Sequence, residues 1–201
     1  MSLSNNQSPV FIGGQMKSGT TLLRGLLSQH PNIFGGLETH WFDLDSTPVK
    51  DLKAITKLRF FYEINEEELD NILIAMRSED MPFIDAFLTY ATRRADKIRW
   101  VEKTPGNIGH LDRIFTEFEG AYFLHVVRDY RDIFSSWKLA KKGDVSDFIY
   151  RVKTSYETLM DYRDHARYTE IKYEDLVYKV DATLTSTLQF IHETPSNSCV
   201  E

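Results

Sequence analysis

The 201-residue sequence has one cysteine, few glycines and prolines, and no long apolar run. Its single cysteine, Cys199, cannot form an internal disulfide, which excludes a fold built on disulfides. The 10 glycines and 6 prolines are scattered, so collagen-like and low-complexity classes are excluded as well. No stretch approaches the roughly 18 consecutive apolar residues of a membrane-spanning helix. We therefore expect no transmembrane segment.

Basic residues are not in excess either, because 24 Lys and Arg face 30 Asp and Glu, a net charge of −6. General binding to nucleic acid relies on an excess of Lys and Arg, so nucleic acid is not an expected partner. The first ten residues contain neither a basic residue nor an apolar segment, which argues against a secretory signal and favours a cytoplasmic location. The six histidines are dispersed without metal-ligand spacing, and we expect no metal.

What remains is the composition of a globular protein, with 42% hydrophobic and 27% charged residues. The length is within the limit of about 250–300 residues for one core, so residues 1–201 are predicted to form a single domain. Short apolar runs alternate with longer helical patterns, which indicates an α/β fold with parallel strands.

The predicted strands cover residues 10–12, 99–102, 121–127 and 169–173. The stretch from 48 to 94 is predicted to be helical. In it, Asn65 and Glu68 have the spacing of a capping box, and Asp80 is predicted to cap a second helix that has Pro82 in its first turn. A long helix is expected over residues 145–165, and a last one over residues 181–191.

The most informative segment runs from Gly13 to Thr21, between the first strand and the first helix. Glycines there permit a tight turn, and the backbone N–H groups at the helix N-terminus suit an anion. The plain alternative is a strand–helix turn with a surface lysine. A nucleotide hydrolase loop would need lysine directly after its second glycine, but Thr20 stands there and the lysine is Lys17.

The run Lys17-Ser18-Gly19-Thr20-Thr21, followed by two leucines, resembles the 5′-phosphosulfate loop of sulfotransferases that use 3′-phosphoadenosine 5′-phosphosulfate. The resemblance implies that these five residues hold the 5′-phosphosulfate of that donor. It also implies a P-loop-containing three-layer α/β/α fold with a central, mainly parallel sheet.

A second motif agrees with the first one. The family places an arginine at a strand end and a serine eight residues later, both on the 3′-phosphate of the donor. Arg128 and Ser136 have this spacing, and a guanidinium suits bidentate binding of phosphate. Tyr173 matches a tyrosine near the nucleotide in the tyrosylprotein branch, although a tyrosine at a strand end is about as often a core residue.

Sulfuryl transfer needs a base for the acceptor and stabilisation of charge on the leaving phosphate. The resemblance places the base at Glu38, with His40 as the competing candidate because its unperturbed pKa suits general base catalysis. It assigns Lys103, together with Lys17, to charge stabilisation. The alternative for Lys103 is an ion pair with a neighbouring acid such as Glu102.

The resemblance covers nearly the whole chain and fits best the bacterial group related to tyrosylprotein and heparan sulfotransferases. It implies an acceptor that the sequence does not identify, and a homodimer is possible. Family members usually continue with a loop over the nucleotide, so a compact enzyme with an open site is one expectation. A nucleotide-binding protein with weak catalysis, or a P-loop kinase or NTPase, are the alternatives.

Overall fold

A five-stranded sheet organises the chain in a computed structural model that describes residues 7–43, 52–140 and 144–196. Cys199 and residues 48–51 of the predicted helical stretch lie outside these ranges. The strands are β1 (Val10–Gly14), β2 (Ile33–Gly35), β3 (Arg99–Lys103), β4 (Tyr122–Val127) and β5 (Tyr168–Lys172). Their order in the sheet is β2-β3-β1-β4-β5, and every pairing is parallel.

Nine helices of the described residues accompany the sheet. They are α1 (Thr20–Ser28), α2 (Leu52–Tyr62), α3 (Glu66–Ser78), α4 (Phe83–Arg94), α5 (Leu111–Glu117), α6 (Tyr130–Leu139), α7 (Val145–Met160), α8 (Tyr173–Tyr178) and α9 (Val180–Phe190). A 3-10 helix over Pro105–Gly109 follows β3 directly.

The helices form layers on both faces of the sheet because strand side chains alternate between the faces. Phe11 belongs to the core that contains buried residues of α2, α3, α4 and α5. Its neighbours Val10 and Ile12 belong to the core that contains buried residues of α1, α8 and α9. The expected three-layer α/β/α fold is therefore confirmed.

The element predictions from 65 to 82 had different outcomes. Asn65 and Glu68 form the predicted capping box at the start of α3. The prediction for Asp80 was wrong, because Pro82 occupies the N-cap position of α4 and no side chain caps that helix. Asp80 instead has a left-handed φ of 49° between the two helices. A proline before the helix already fixes one backbone angle there, so α4 forms without a side-chain cap.

The sheet brings three connections together at the carboxyl ends of its central strands. β1 lies between β3 and β4, and the chain leaves the three strands on the same edge because they are parallel. The chain order reverses at β1, and open α/β sheets bind ligands outside the strand ends at such a point. The loop after β1, the segment after β3 and the start of α6 therefore meet.

Candidate active site

The loop after β1 is held in a tight turn. The Ser18 amide donates to the Gln15 carbonyl at 3.0 Å, and Lys17 and Gly19 have positive φ angles of 73° and 105°. The Gln15 side chain donates to Ser155 Oγ on α7 at 2.8 Å, which ties the loop to that helix. The first turn of α1 contains no acidic residue, so no carboxylate competes for its N–H groups.

Close packing leaves no room for larger residues at two glycines of this loop. A Cβ at Gly14 would stand 2.5 Å from the Val126 carbonyl oxygen, and one at Gly19 would stand 2.4 Å from the Tyr173 ring. Ser18 is fully buried under the loop, and its Oγ has no hydrogen-bond partner among the described residues. The loop thus combines a helix N-terminus with an unpaired buried hydroxyl.

Arg128 follows β4 and reaches across to the loop. Its Nη1 donates to the Lys17 carbonyl at 3.2 Å, and its guanidinium carbon lies 4.2 Å from the centre of the Tyr173 ring. Its Nε is buried without a hydrogen-bond partner in the described part of the chain. Arg128 also contacts Asp132 at 3.6 Å, and Ser136 lies one turn beyond Asp132 on the same face of α6. The structure therefore brings Arg128, Tyr173 and the loop together.

On the other side of the loop, Lys103 at the end of β3 lies between two candidate groups. Its ammonium donates to Thr21 Oγ1 at 3.1 Å and forms an ion pair with the Glu38 carboxylate. The lysine side chain is only 4% exposed, whereas that of Glu38 is 35% exposed. One half-exposed carboxylate and one buried ammonium thus meet beside the first turn of α1.

His40 connects Glu38 with a second carboxylate. Its Nε2 lies 3.1 Å from Glu38 Oε2, and its Nδ1 lies 2.9 Å from Asp43 Oδ2. His110 approaches the other oxygen of Asp43 at 3.6 Å. The two imidazoles, His110 foremost, hold the pKa of Asp43 below its usual value against the opposing effect of burial. Glu38 and His40, the two candidates for the base, are therefore in direct contact, and Asp43 extends the same row of side chains.

Glu102 does not pair with Lys103, so that alternative was wrong. Successive side chains of a strand point to opposite faces, and Glu102 is turned away from the neighbouring ammonium. It is 2% exposed and accepts hydrogen bonds from Thr39, Thr104 and Asn107. Sequence reasoning gave this residue no role of its own. The available signal was a glutamate inside a predicted strand, directly after the apolar Trp100 and Val101.

A cleft of about 500 Å³ adjoins the loop. Its lining comes from β1 and the loop, from Asp43, from the 3-10 helix and from α6 and α7; the residues are Gly14, Gln15, Met16, Asp43, Pro105, Gly106, Ile108, Gly109, Trp137, Asp147, Tyr150, Arg151, Thr154 and Ser155. Sequence reasoning did not identify it, because its walls come from five separate segments. The buried indole N–H of Trp137 has no hydrogen-bond partner within the described ranges.

The described residues include no group of three or more His, Cys, Asp or Glu placed to hold a metal ion. None of the helices described above is long and apolar enough to span a bilayer. What the site does offer is a set of cations and N–H groups beside a carboxylate, which suits an anionic ligand next to a group that loses a proton.

Comparisons with known proteins show which family the chain resembles. The chain is 26% identical over 223 residues to the protein-tyrosine sulfotransferase of Drosophila melanogaster, and the match covers 98% of this chain but 40% of the fly protein. The sulfotransferase domain of the olefin synthase from Synechococcus PCC 7002 superposes with a TM-score of 0.72 at 22% identity, over 99% of this chain and 79% of that one.

A sulfotransferase from Mycobacterium tuberculosis H37Rv superposes with a TM-score of 0.65 at 17% identity, over 98% of this chain and 70% of that one. At such identities, these two structures show the shared fold alone. The profile of the sulfotransferase family matches residues 9–194, which is nearly the whole chain. The chain therefore belongs to the sulfotransferase family.

Proposed function

We propose that the protein transfers a sulfuryl group from 3′-phosphoadenosine 5′-phosphosulfate to a hydroxyl or amine. The observation that carries the proposal is the position of Lys103, between the Glu38 carboxylate and Thr21 at the start of α1. A proton acceptor and a buried cation there stand next to the loop that suits the phosphosulfate. Membership in the sulfotransferase family supports the same reaction class.

Two unpaired polar atoms at the site fit the binding of the donor. Ser18 Oγ and Arg128 Nε are both buried polar atoms without a hydrogen-bond partner among the described residues. Buried polar groups are nearly always paired, so both atoms suit a ligand that accepts hydrogen bonds. In the proposal, Lys17, Ser18, Gly19, Thr20 and Thr21 hold the 5′-phosphosulfate.

Arg128 and Ser136 hold the 3′-phosphate of the donor in the same proposal. The guanidinium of Arg128 lies over the Tyr173 ring, and this contact restricts its orientation. Tyr173 is then a positioning residue for Arg128 as well as a neighbour of the nucleotide. No metal is part of the proposed chemistry.

When bound, the donor supplies the activated sulfuryl group for in-line transfer. Glu38 would take the acceptor proton as the acceptor's oxygen or nitrogen bonds to sulfur. The bond from sulfur to the phosphate oxygen would break at the same time, and its electron pair would stay on that oxygen. Lys103 and Lys17 offset the negative charge that develops on the leaving oxygen. His40 holds the second oxygen of Glu38 and thereby restricts its rotation.

The cleft beside the loop is the proposed place of the acceptor. Its lining includes residues of the loop and Asp43, and Asp43 is joined to Glu38 through His40. Met16, Ile108 and Trp137 are among the lining residues, so an acceptor with an apolar part fits the cleft.

A thermal shift experiment with matched nucleotides tests the donor. We expect adenosine 3′,5′-bisphosphate to raise the melting temperature without Mg²⁺, and adenosine 5′-phosphate, which lacks the 3′-phosphate, to have a much smaller effect. Lys17→Ala and Arg128→Ala should each remove most of the shift. Lys153→Ala, a surface lysine on α7 that pairs with Glu157, is the matched control and should retain it.

Equal stabilisation by ATP with Mg²⁺ would contradict the donor assignment, and phosphate release from ATP would favour the kinase or NTPase alternative. Transfer of labelled sulfate to compounds of a cell extract then tests catalysis. A full thermal shift without any transfer would favour the nucleotide-binding protein with weak catalysis.

A further inference from the structure

We propose that Glu102 is a positioning residue, which holds Glu38 against Lys103 by ordering the turn from 38 to 41. The catalytic consequence of this inference rests on the proposed function. The positioning of Glu38 by Glu102 is argued from hydrogen bonds alone. The segment after β2 is irregular, so its backbone N–H groups have no strand or helix partners.

Three successive amides are linked to the Glu102 carboxylate, one directly and two through a threonine hydroxyl. The Thr39 amide donates directly to Glu102 Oε1 at 3.1 Å. The His40 amide donates to Thr104 Oγ1 at 3.2 Å, and that hydroxyl donates on to Glu102 at 2.7 Å. The Trp41 amide donates to Thr39 Oγ1 at 3.3 Å, and that hydroxyl donates to Glu102 at 2.8 Å.

The second oxygen of the carboxylate anchors the network to the sheet. Asn107 Nδ2 donates to Glu102 Oε2 at 2.5 Å and to the Ile12 carbonyl of β1 at 3.2 Å. Hydrogen bonds to a charged acceptor are roughly twice as strong as neutral ones, and here all four come from fixed donors. The buried carboxylate therefore ties the turn to β3, to the 3-10 helix and to β1.

The backbone of the same turn is strained at His40, so other contacts must hold it in place. His40 has a φ of 53°, a left-handed conformation that a residue with a Cβ adopts only when its surroundings impose it. His40 follows Glu38 by two residues and contacts its carboxylate. If the turn relaxes, Glu38 loses its place beside both His40 and Lys103.

Glu102→Gln tests the inference because it keeps the shape and removes the charge. A glutamine presents one oxygen and one NH₂ group to four donors, so at least one donor loses its acceptor. The amide oxygen is also a neutral and weaker acceptor for the three donors that bind Oε1, so we expect the Thr39 and His40 amides to exchange their hydrogens about tenfold faster. The carboxyl ¹³C signal of Glu38, which senses the Lys103 contact, should shift at the same time.

Glu193→Gln is the matched control. Glu193 is also a buried carboxylate, but it pairs with Arg99 at the opposite end of β3 and accepts from Asn32. This control should lower the melting temperature while the Thr39 and His40 amides and the Glu38 signal stay as in the wild type. Equal changes in both variants would overturn the inference, because they would reflect general loosening.

Thr104→Val separates the two branches of the network and serves where Glu102→Gln folds poorly. It should speed exchange of the His40 amide and leave the Thr39 amide protected, since Thr39 donates to Glu102 directly. Unchanged exchange at His40 would overturn the inference as well.

Transfer of labelled sulfate is the final readout. In Glu102→Gln we expect kcat to fall up to about 100-fold with an unchanged KM for the donor, as misplacement of a catalytic group predicts. Normal kcat with fast exchange would overturn the positioning role. If the wild type transfers no sulfate, the proposed function fails, whereas the exchange rates and the ¹³C signal still decide whether Glu102 holds Glu38.

Discussion

At the residue scale, Glu38 has two partners that bear on its proposed role. Lys103 neutralises one oxygen, and His40 contacts the other. A carboxylate held in this way keeps one orientation towards the loop, which is what a general base needs. Lys103 lies 65 residues further along the chain, so its pairing with Glu38 exists only in the folded chain.

Glu38→Gln should lower turnover by about 10²–10⁴-fold because the amide keeps the shape of the side chain but cannot take a proton. Nucleotide affinity should be unchanged, as measured by the thermal shift with adenosine 3′,5′-bisphosphate. Glu157→Gln on the exposed side of α7 is the control and should behave like the wild type. Full turnover in Glu38→Gln would move the role of base to His40.

Asp85 on α4 provides a pH-dependent test of stability away from the site. Burial raises the pKa of its carboxyl group, although hydrogen bonds from Trp100 and Thr89 oppose the effect. With a folded-state pKa above the unfolded value of about 3.9, its contribution to stability is greatest at low pH and is lost as the pH rises through the folded pKa.

Asp85→Asn should therefore be more stabilising relative to the wild type near pH 7 than near pH 4. Both donors bind the same oxygen, Oδ1, at 3.2 Å, so an asparagine oxygen can replace it. Melting temperatures of both proteins across this pH range check the prediction. A difference that does not change with pH would contradict it.

At the scale of elements, the sequence predicts a helix boundary correctly where the stabilising contacts lie within the same short segment. The capping box of α3 needs only Asn65 and Glu68, three residues apart, and it is present as predicted. The strand β2 was not predicted, because its three residues are too few to show a period. The helix predicted to reach residue 165 ends at Met160.

Gly19 at the N-cap of α1 and Gly25 inside this helix should respond to alanine with opposite signs. Gly19→Ala forces a Cβ into a left-handed conformation and against the Tyr173 ring, so we expect a lower melting temperature and a smaller nucleotide shift. Gly25→Ala meets nothing within 4 Å inside the helix and should stabilise it by roughly 0.5–1 kcal/mol. Thermal melts with and without nucleotide measure both effects, and a normal shift in Gly19→Ala would contradict the prediction.

At the scale of the whole molecule, the two larger cores rest on the same sheet. One contains Phe11, Trp100 and Phe123, and the other contains their strand neighbours Val10 and Val101. Since each strand contributes to both, loss of one core exposes the other. We propose on this ground that the chain unfolds as a single domain.

Calorimetry should accordingly show one unfolding transition. At a free concentration of 100 times its Kd, adenosine 3′,5′-bisphosphate should add about 2.7 kcal/mol to the free energy of unfolding. For a chain of this length, that corresponds to a rise of roughly 5–10 °C in Tm. Two separate transitions, only one of which moves with nucleotide, would contradict the single domain.

The sequence by itself determined the α/β class, the loop after β1 and the spacing of the two motifs that we propose hold the donor. These depend on short-range features: alternation of apolar runs, glycines at a strand–helix turn, and fixed spacings such as that from Arg128 to Ser136. Each is set by contacts or backbone angles within a few residues, so each is visible without the fold.

The tertiary structure alone decided which charged groups meet. Lys103 pairs with Glu38, 65 residues away, rather than with the adjacent Glu102. Strand alternation sends Glu102 and Lys103 to opposite faces, and the parallel order of the sheet brings the turn after β2 to the end of β3. Two charged residues that are adjacent in sequence form an ion pair only if their side chains point the same way. The packed sheet sets the direction of these side chains.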